Sequence, residues 1–89
     1  MLTKSEEKIM NYLWKLKNAS IKELLKEFEE PKPATTTLLT LLKRLKEKEY
    51  ISYHNDNRYR TYYALVSKES YFSKSLKNMV KDFFNNSPK

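Results

Sequence analysis

The sequence predicts a mainly α fold with a small β-hairpin, and three observations predict it. Apolar residues recur at helical spacing in four separate segments. Between the third and the fourth lies a run of β-formers interrupted by Asn55-Asp56-Asn57. At 89 residues, with no internal repeat and no long linker, the chain is one small domain with a modest core.

Thr3-Lys4-Ser5-Glu6 is a capping box, and Ile9, Met10, Leu13 and Trp14 make the stripe behind it. The first helix is therefore expected to run to about Lys17, with Asn18 as a left-handed C-cap. Trp14 is expected in the core. Ser20-Ile21-Lys22-Glu23 is a second capping box, and Ile21, Leu24, Leu25 and Phe28 give a short second helix over 21–29. Pro31 and Pro33 close it. A proline disfavours helix in the residue before it, so the third helix is expected to begin at Pro33 and to run to about Lys48.

The third helix has two different faces. Leu38, Leu41, Leu42 and Leu45 form the apolar stripe. Thr36, Thr40, Lys43 and Glu47 lie opposite, flanked by Thr37 and Arg44. Tyr50–His54 and Arg58–Leu65 are the strands of a hairpin that turns at 55–57. Arg58, Arg60 and Tyr62 share one face; Tyr59, Thr61, Tyr63 and Leu65 share the other, which is expected to pack on the helices. Ser67 caps a fourth helix over about 68–85. Its Phe72, Val80, Phe83 and Phe84 exceed what a three-helix core needs, and they are read as a dimerisation seam. The order is that of a winged helix-turn-helix: a three-helix core, a wing and a C-terminal helix. Residues 1–66 form the DNA-binding domain on this reading, and 67–89 begin a dimerisation region.

The formal charge is +7, and it is unevenly spread. Six Lys and six Glu cancel in residues 1–31, whereas seven Lys and Arg outnumber three acids in residues 32–63. Basic excess that starts where the Thr-faced helix starts points to a polyanion. Hydroxyls can pair with base edges and cations with phosphates. Thr36 and Thr40 are thus candidate base readers. Lys43 and Arg44 are candidate phosphate contacts, with Glu47 or Glu49 as alternative partners for Arg44. Lys32 is placed to meet backbone phosphate, Arg58 and Arg60 to contact DNA from the wing, and His54 to touch phosphate beside it. The tyrosines of the hairpin are read as packing residues.

The chain contains no cysteine and one histidine, so no disulfide, no thiolate site and no metal ligand set is expected. No Gly-rich phosphate loop and no convergent acid pair exists, so neither catalysis nor a cofactor is expected. The apolar runs are too short to span a bilayer and no leader precedes the first helix, so a cytoplasmic protein without a membrane partner is expected. The alternative to DNA binding is a winged helix that docks protein through its fourth helix and its Tyr-rich hairpin.

Three blocks carry a resemblance: Glu6-x-x-Ile9-Met10-x-x-x-Trp14; Thr36-Thr37-Leu38-Leu39-Thr40-x-Leu42-x-Arg44-Leu45-x-x-Lys48; and Tyr63-Ala64-Leu65-Val66-Ser67-Lys68-Glu69-x-Tyr71. Together they resemble the BlaI/MecI/CopY family of bacterial repressors over about residues 2–87. The resemblance implies a winged-helix homodimer that binds inverted-repeat operators in double-stranded DNA and blocks transcription. It also adds Thr37 to the base-reading candidates. Family members usually carry Gly where this chain has Glu49, and often Gly at the wing tip, where this chain has Asn-Asp-Asn. The Cys-x-Cys metal motif of CopY-like members is absent. Family members also continue past the position of Ser87 into a helical dimerisation domain.

Overall fold

A computed structural model describes residues 2–73. Its elements are α1 (Lys4–Leu16), β1 (Asn18–Ala19), α2 (Ile21–Glu27), α3 (Thr35–Glu47), β2 (Ile51–Asp56) and β3 (Tyr59–Ala64). Residues 68–73 are helical. The fold is mainly α with a small three-stranded antiparallel sheet, in the order β1-β3-β2.

Both predicted capping boxes form. Thr3 and Glu6 exchange backbone and side-chain hydrogen bonds at the start of α1, and Ser20 and Glu23 do so at the start of α2. Each satisfies amide groups that a helix start otherwise leaves bare. The end of α1 differs from expectation. Lys17, not Asn18, takes the positive φ (75°), and Asn18 enters β1 opposite Tyr63. Two residues of pairing with β3 convert the expected cap into an edge strand. The start of α3 also moves. Its N-cap is Ala34, in extended conformation and without a side-chain cap, so Pro33 stays outside the helix.

The core is one cluster: Ile9, Met10 and Leu13 of α1, Ala19, Leu24 of α2, Leu38, Leu42 and Leu45 of α3, Ile51 and Tyr62. Leu41 packs on its edge. Trp14 is half-buried rather than enclosed. Its indole N–H donates to the Val66 carbonyl at 2.9 Å, which pins the chain leaving the wing onto α1.

The hairpin reverses the expected assignment of faces. Register pairs Ile51 with Ala64 and Tyr53 with Tyr62. Directly paired residues share a face. The face that carries Tyr62 is therefore the one that meets the helices. Tyr62 is buried, whereas Tyr59 (66% exposed) and Leu65 (54% exposed) of the other set are open. The strong aliphatic Ile51 decides the matter, since only one parity can bury it. The turn is also one step later than expected, at Asn57-Arg58, with Asn57 at φ 60°.

Two motif blocks meet in a single ion pair. The Glu6 carboxylate, fully buried, accepts from Lys48 Nζ at 2.9 and 3.1 Å and from the Thr3 amide at 2.9 Å. This ties the end of α3 to the start of α1. Desolvation pushes the Glu6 pKa up, but the Thr3 amide and the Lys48 ammonium outweigh it and hold it below its usual value.

Candidate nucleic-acid interface

Burying Leu38, Leu42 and Leu45 fixes the rotation of α3, because a helix has no freedom about its axis once its stripe is seated. The opposite face must then be open. Thr36, Thr37, Thr40, Lys43 and Arg44 are all exposed, as the periodicity predicts. The Thr40 hydroxyl donates to the Thr36 carbonyl at 2.9 Å. Its hydrogen is thereby engaged, and its outward lone pairs suit an adenine or cytosine amino donor. Among the described residues no hydrogen bond engages the side-chain hydroxyl of Thr36 or Thr37. Neither of the two ion pairs among the described residues, Lys15–Glu27 and Lys48–Glu6, involves Arg44. The Glu47 and Glu49 alternatives for Arg44 are not formed.

The wing stands beside this face. A groove of about 450 Å³ runs between α3 and the hairpin, lined by Leu39, Leu42, Lys43, Lys46, Glu47, Tyr53, Arg60 and Tyr62. The Arg60 guanidinium carbon lies 4.5 Å from the centre of the Tyr53 ring, and Lys46 Nζ lies 5.6 Å from the same ring. The Tyr62 hydroxyl and the neighbouring phenols raise the Arg60 pKa further, so its charge is permanent. A second groove joins Arg58, Tyr59 and Arg60 to Ser20, Ile21, Lys22 and Leu25 of the α2 region, with Leu39 between them. Arg60 borders both grooves, so the structure brings it to α3. Arg58 sits at the turn, nearer α2.

Two predicted contacts are placed elsewhere. Lys32 Nζ donates to the carbonyls of Leu25 at 2.8 Å and Phe28 at 2.6 Å. It caps the C-terminal end of α2, where the helix dipole attracts a cation, so the ammonium expected to meet phosphate already has partners. His54 is exposed but pairs with Thr61, on the hairpin face turned away from α3, with its ring 5.8 Å from Tyr63. Of the dimerisation candidates, Phe72 is 43% exposed and leans on Trp14 and Tyr71. Val80, Phe83 and Phe84 lie outside the described residues. Sequence reasoning missed Lys46 and Tyr53 as site residues. Lys46 is one helical turn beyond Lys43 on the wing flank, a spacing that could have shown it.

The two turns that lack the family's glycine keep the geometry a glycine would serve. Glu49 has φ 65° and Asn57 has φ 60°. The Glu49 amide donates to the Lys46 carbonyl and the Tyr50 amide to Leu45, so the helix still closes in a left-handed step before β2.

Among the described residues no group of three His, Cys, Asp or Glu could hold a metal ion, and no helix is long and apolar enough to cross a membrane.

The penicillinase repressor family model matches residues 2–89. The chain is 31% identical over 80 residues to the methicillin resistance regulatory protein MecI of Staphylococcus aureus strain N315. It is 30% identical over 80 residues to the MecI protein of Mammaliicoccus sciuri. Each match covers 89% of this chain, which spans 65% of the length of these curated relatives. Among solved structures, the DNA-binding domain of the repressor BlaI superposes with a TM-score of 0.69 at 24% identity, over 80% of this chain and 88% of that one. An ArsR family transcriptional regulator superposes with a TM-score of 0.64 at 17% identity, over 98% and 84% of the respective chains. Both confirm the winged-helix fold.

Proposed function

The chain belongs to the penicillinase repressor family, and on that premise we propose that it is the sequence-reading part of a cytoplasmic, homodimeric transcriptional repressor that binds double-stranded DNA at an inverted repeat. It needs no cofactor and performs no catalytic step. The observation that carries this reading is the exposed Thr36, Thr37, Thr40, Lys43 and Arg44 face of α3, with Arg60 of the wing set across a groove from it.

In this reading α3 enters the major groove. Thr36 and Thr37 offer hydroxyl donors and acceptors to base edges, and Thr40 offers an acceptor. Lys43, Arg44, Lys46 and Arg60 neutralise the flanking phosphates, and Arg58 reaches the backbone or minor groove from the turn. Binding is then salt-sensitive, because each neutralised phosphate releases condensed counterions. Phe72, Val80, Phe83 and Phe84 belong to the seam that pairs two copies, and pairing sets the spacing of the half-sites.

Selection from a random duplex pool at low and at moderate salt tests the reading. An inverted repeat enriched at both salts is the expected result. Enrichment of a single half-site would refute the dimer while keeping the reader. Loss of all enrichment with added salt would reduce the interface to nonspecific charge and end the proposal.

A further inference from the structure

The proposed function requires α3 and the wing to meet one stretch of DNA together, yet they are separate elements. What joins them on the exposed side is the Tyr53 ring, on the inward face of β2 opposite Tyr62. Lys46 approaches it from α3 at 5.6 Å, and Arg60 from β3 at 4.5 Å. The Tyr62 ring backs it at 5.4 Å and 52°. Neither Lys46 nor Arg60 takes part in either ion pair among the described residues. The aromatic ring thus holds these cations without cancelling their charge.

We propose that Tyr53 is a positioning residue for DNA reading: its ring fixes the Arg60 guanidinium at a set distance from α3, so that wing and helix engage a half-site in one register. This rests on the DNA-binding reading and deepens it. The physical basis is preorganisation. A long side chain loses rotamer freedom when it meets a phosphate, and one already laid over a ring loses less. A carboxylate at Tyr53 would grip more firmly, but it would remove the positive charge that DNA needs.

The test is a double-mutant cycle on an enriched duplex, with far-UV circular dichroism to confirm folding. Tyr53→Leu weakens specific binding roughly 2- to 5-fold, the range expected for an exposed cation–π contact. In that background Arg60→Ala costs less than it does in the wild type, by a similar factor. Tyr53→Phe keeps the ring and restores wild-type behaviour. Independent effects of the two changes, or a Phe variant as weak as the Leu variant, would overturn the inference. A second readout needs no DNA. In the free protein the Arg60 δ-protons and Lys46 ε-protons are shifted upfield by the ring, in the wild type and in Tyr53→Phe but not in Tyr53→Leu. Ordinary shifts in the wild type would sink the inference with the DNA reading intact. Absence of all duplex binding would overturn both, and the ring shifts would then report only whether the stack exists.

Discussion

α3 is held at two places, and the two joints are made of opposite materials. At its C-terminal end Lys48 reaches a Glu6 carboxylate whose side chain is 1% exposed. On its wing flank Lys46 and Arg60 lie over the half-buried Tyr53, and although Glu47 lines the same groove, neither cation forms an ion pair among the described residues. The first joint has one buried partner: the Glu6 carboxylate is desolvated and depends on Lys48 and the Thr3 amide for its hydrogen bonds, while the Lys48 side chain stays 42% exposed. The second leaves its cations charged and wet. A helix that must be both seated and available is served by that division: the Glu6 joint secures the end of a helix that its Leu stripe seats, and the open one leaves positive charge for a polyanion. Breaking the first should change stability, and breaking the second should change binding.

The largest expected effect is therefore at the buried joint. Lys48→Met leaves the Glu6 carboxylate buried with only the Thr3 amide, and should cost about 1–3 kcal/mol, read as a lower urea midpoint with an unchanged slope. The pH dependence sharpens this. Glu6 has a folded pKa below its ordinary value of 4.5, so the joint contributes fully above that value and is lost as pH falls through the folded value. Without Lys48 the desolvation that raises the pKa meets less opposition, and the acid-dependent loss should shrink. Urea midpoints measured from pH 7 to pH 3 would show this as a flatter curve for the variant. Curves that merely run parallel would mean that Lys48 does not set the Glu6 pKa.

Changes on the open face should do the reverse. Thr36→Ala should leave the thermal midpoint in place and relax discrimination at the base pairs it faces, by about 1 kcal/mol, the lower end for a single base-pair mismatch. Arg58→Ala should weaken binding on all sequences alike and reduce the salt slope by about one. Titrating each variant against the selected site and a scrambled site, at two salts, separates them. A Thr36→Ala variant with every base preference intact would remove α3 as the reader.

Neither joint was legible in the sequence, although the helices they connect were. The helices could be read because their signals are local: Thr3 with Glu6, Ser20 with Glu23, and the Leu38–Leu42–Leu45 stripe lie within a few residues of one another. The exposed polar face of α3 follows from the same stripe. The hairpin face could not be read from alternation, because Tyr occurs at both parities of β3, at 59 and 63 as well as at 62. It was settled by the non-local pairing of Ile51 with Ala64. β1 is invisible for the same reason, since two residues become a strand only because β3 lies beside them. Lys48 meeting Glu6 and Lys32 meeting the end of α2 are likewise contacts of the fold. Spacing showed that both lysines were cations, and not which oxygens they would find.

Glu49 tests the seating of α3 from another side. A non-glycine side chain at φ 65° is crowded against its own backbone. Glu49→Gly should therefore raise stability by about 0.5–1 kcal/mol, after the added freedom of the unfolded chain is set against the relieved strain. Thermal unfolding gives the sign. A lower midpoint would mean that the Glu49 side chain makes contacts that outweigh its conformation.

The smallest expected effect separates a cation that holds the fold from those that face outward. Lys32 donates to two carbonyls at the end of α2 and sits immediately before the loop into α3. Lys32→Met keeps the aliphatic stem and removes the cap. It should cost about 0.5 kcal/mol, the low end for a hydrogen-bonded group because the site is exposed. If its ammonium stays on α2, the salt slope of DNA binding is the same with and without it, whereas loss of Arg58 lowers that slope by about one. A slope reduced equally by both changes would mean that Lys32 leaves the α2 carbonyls for phosphate when DNA arrives, and it would move this residue from the seated side of the molecule to the open one.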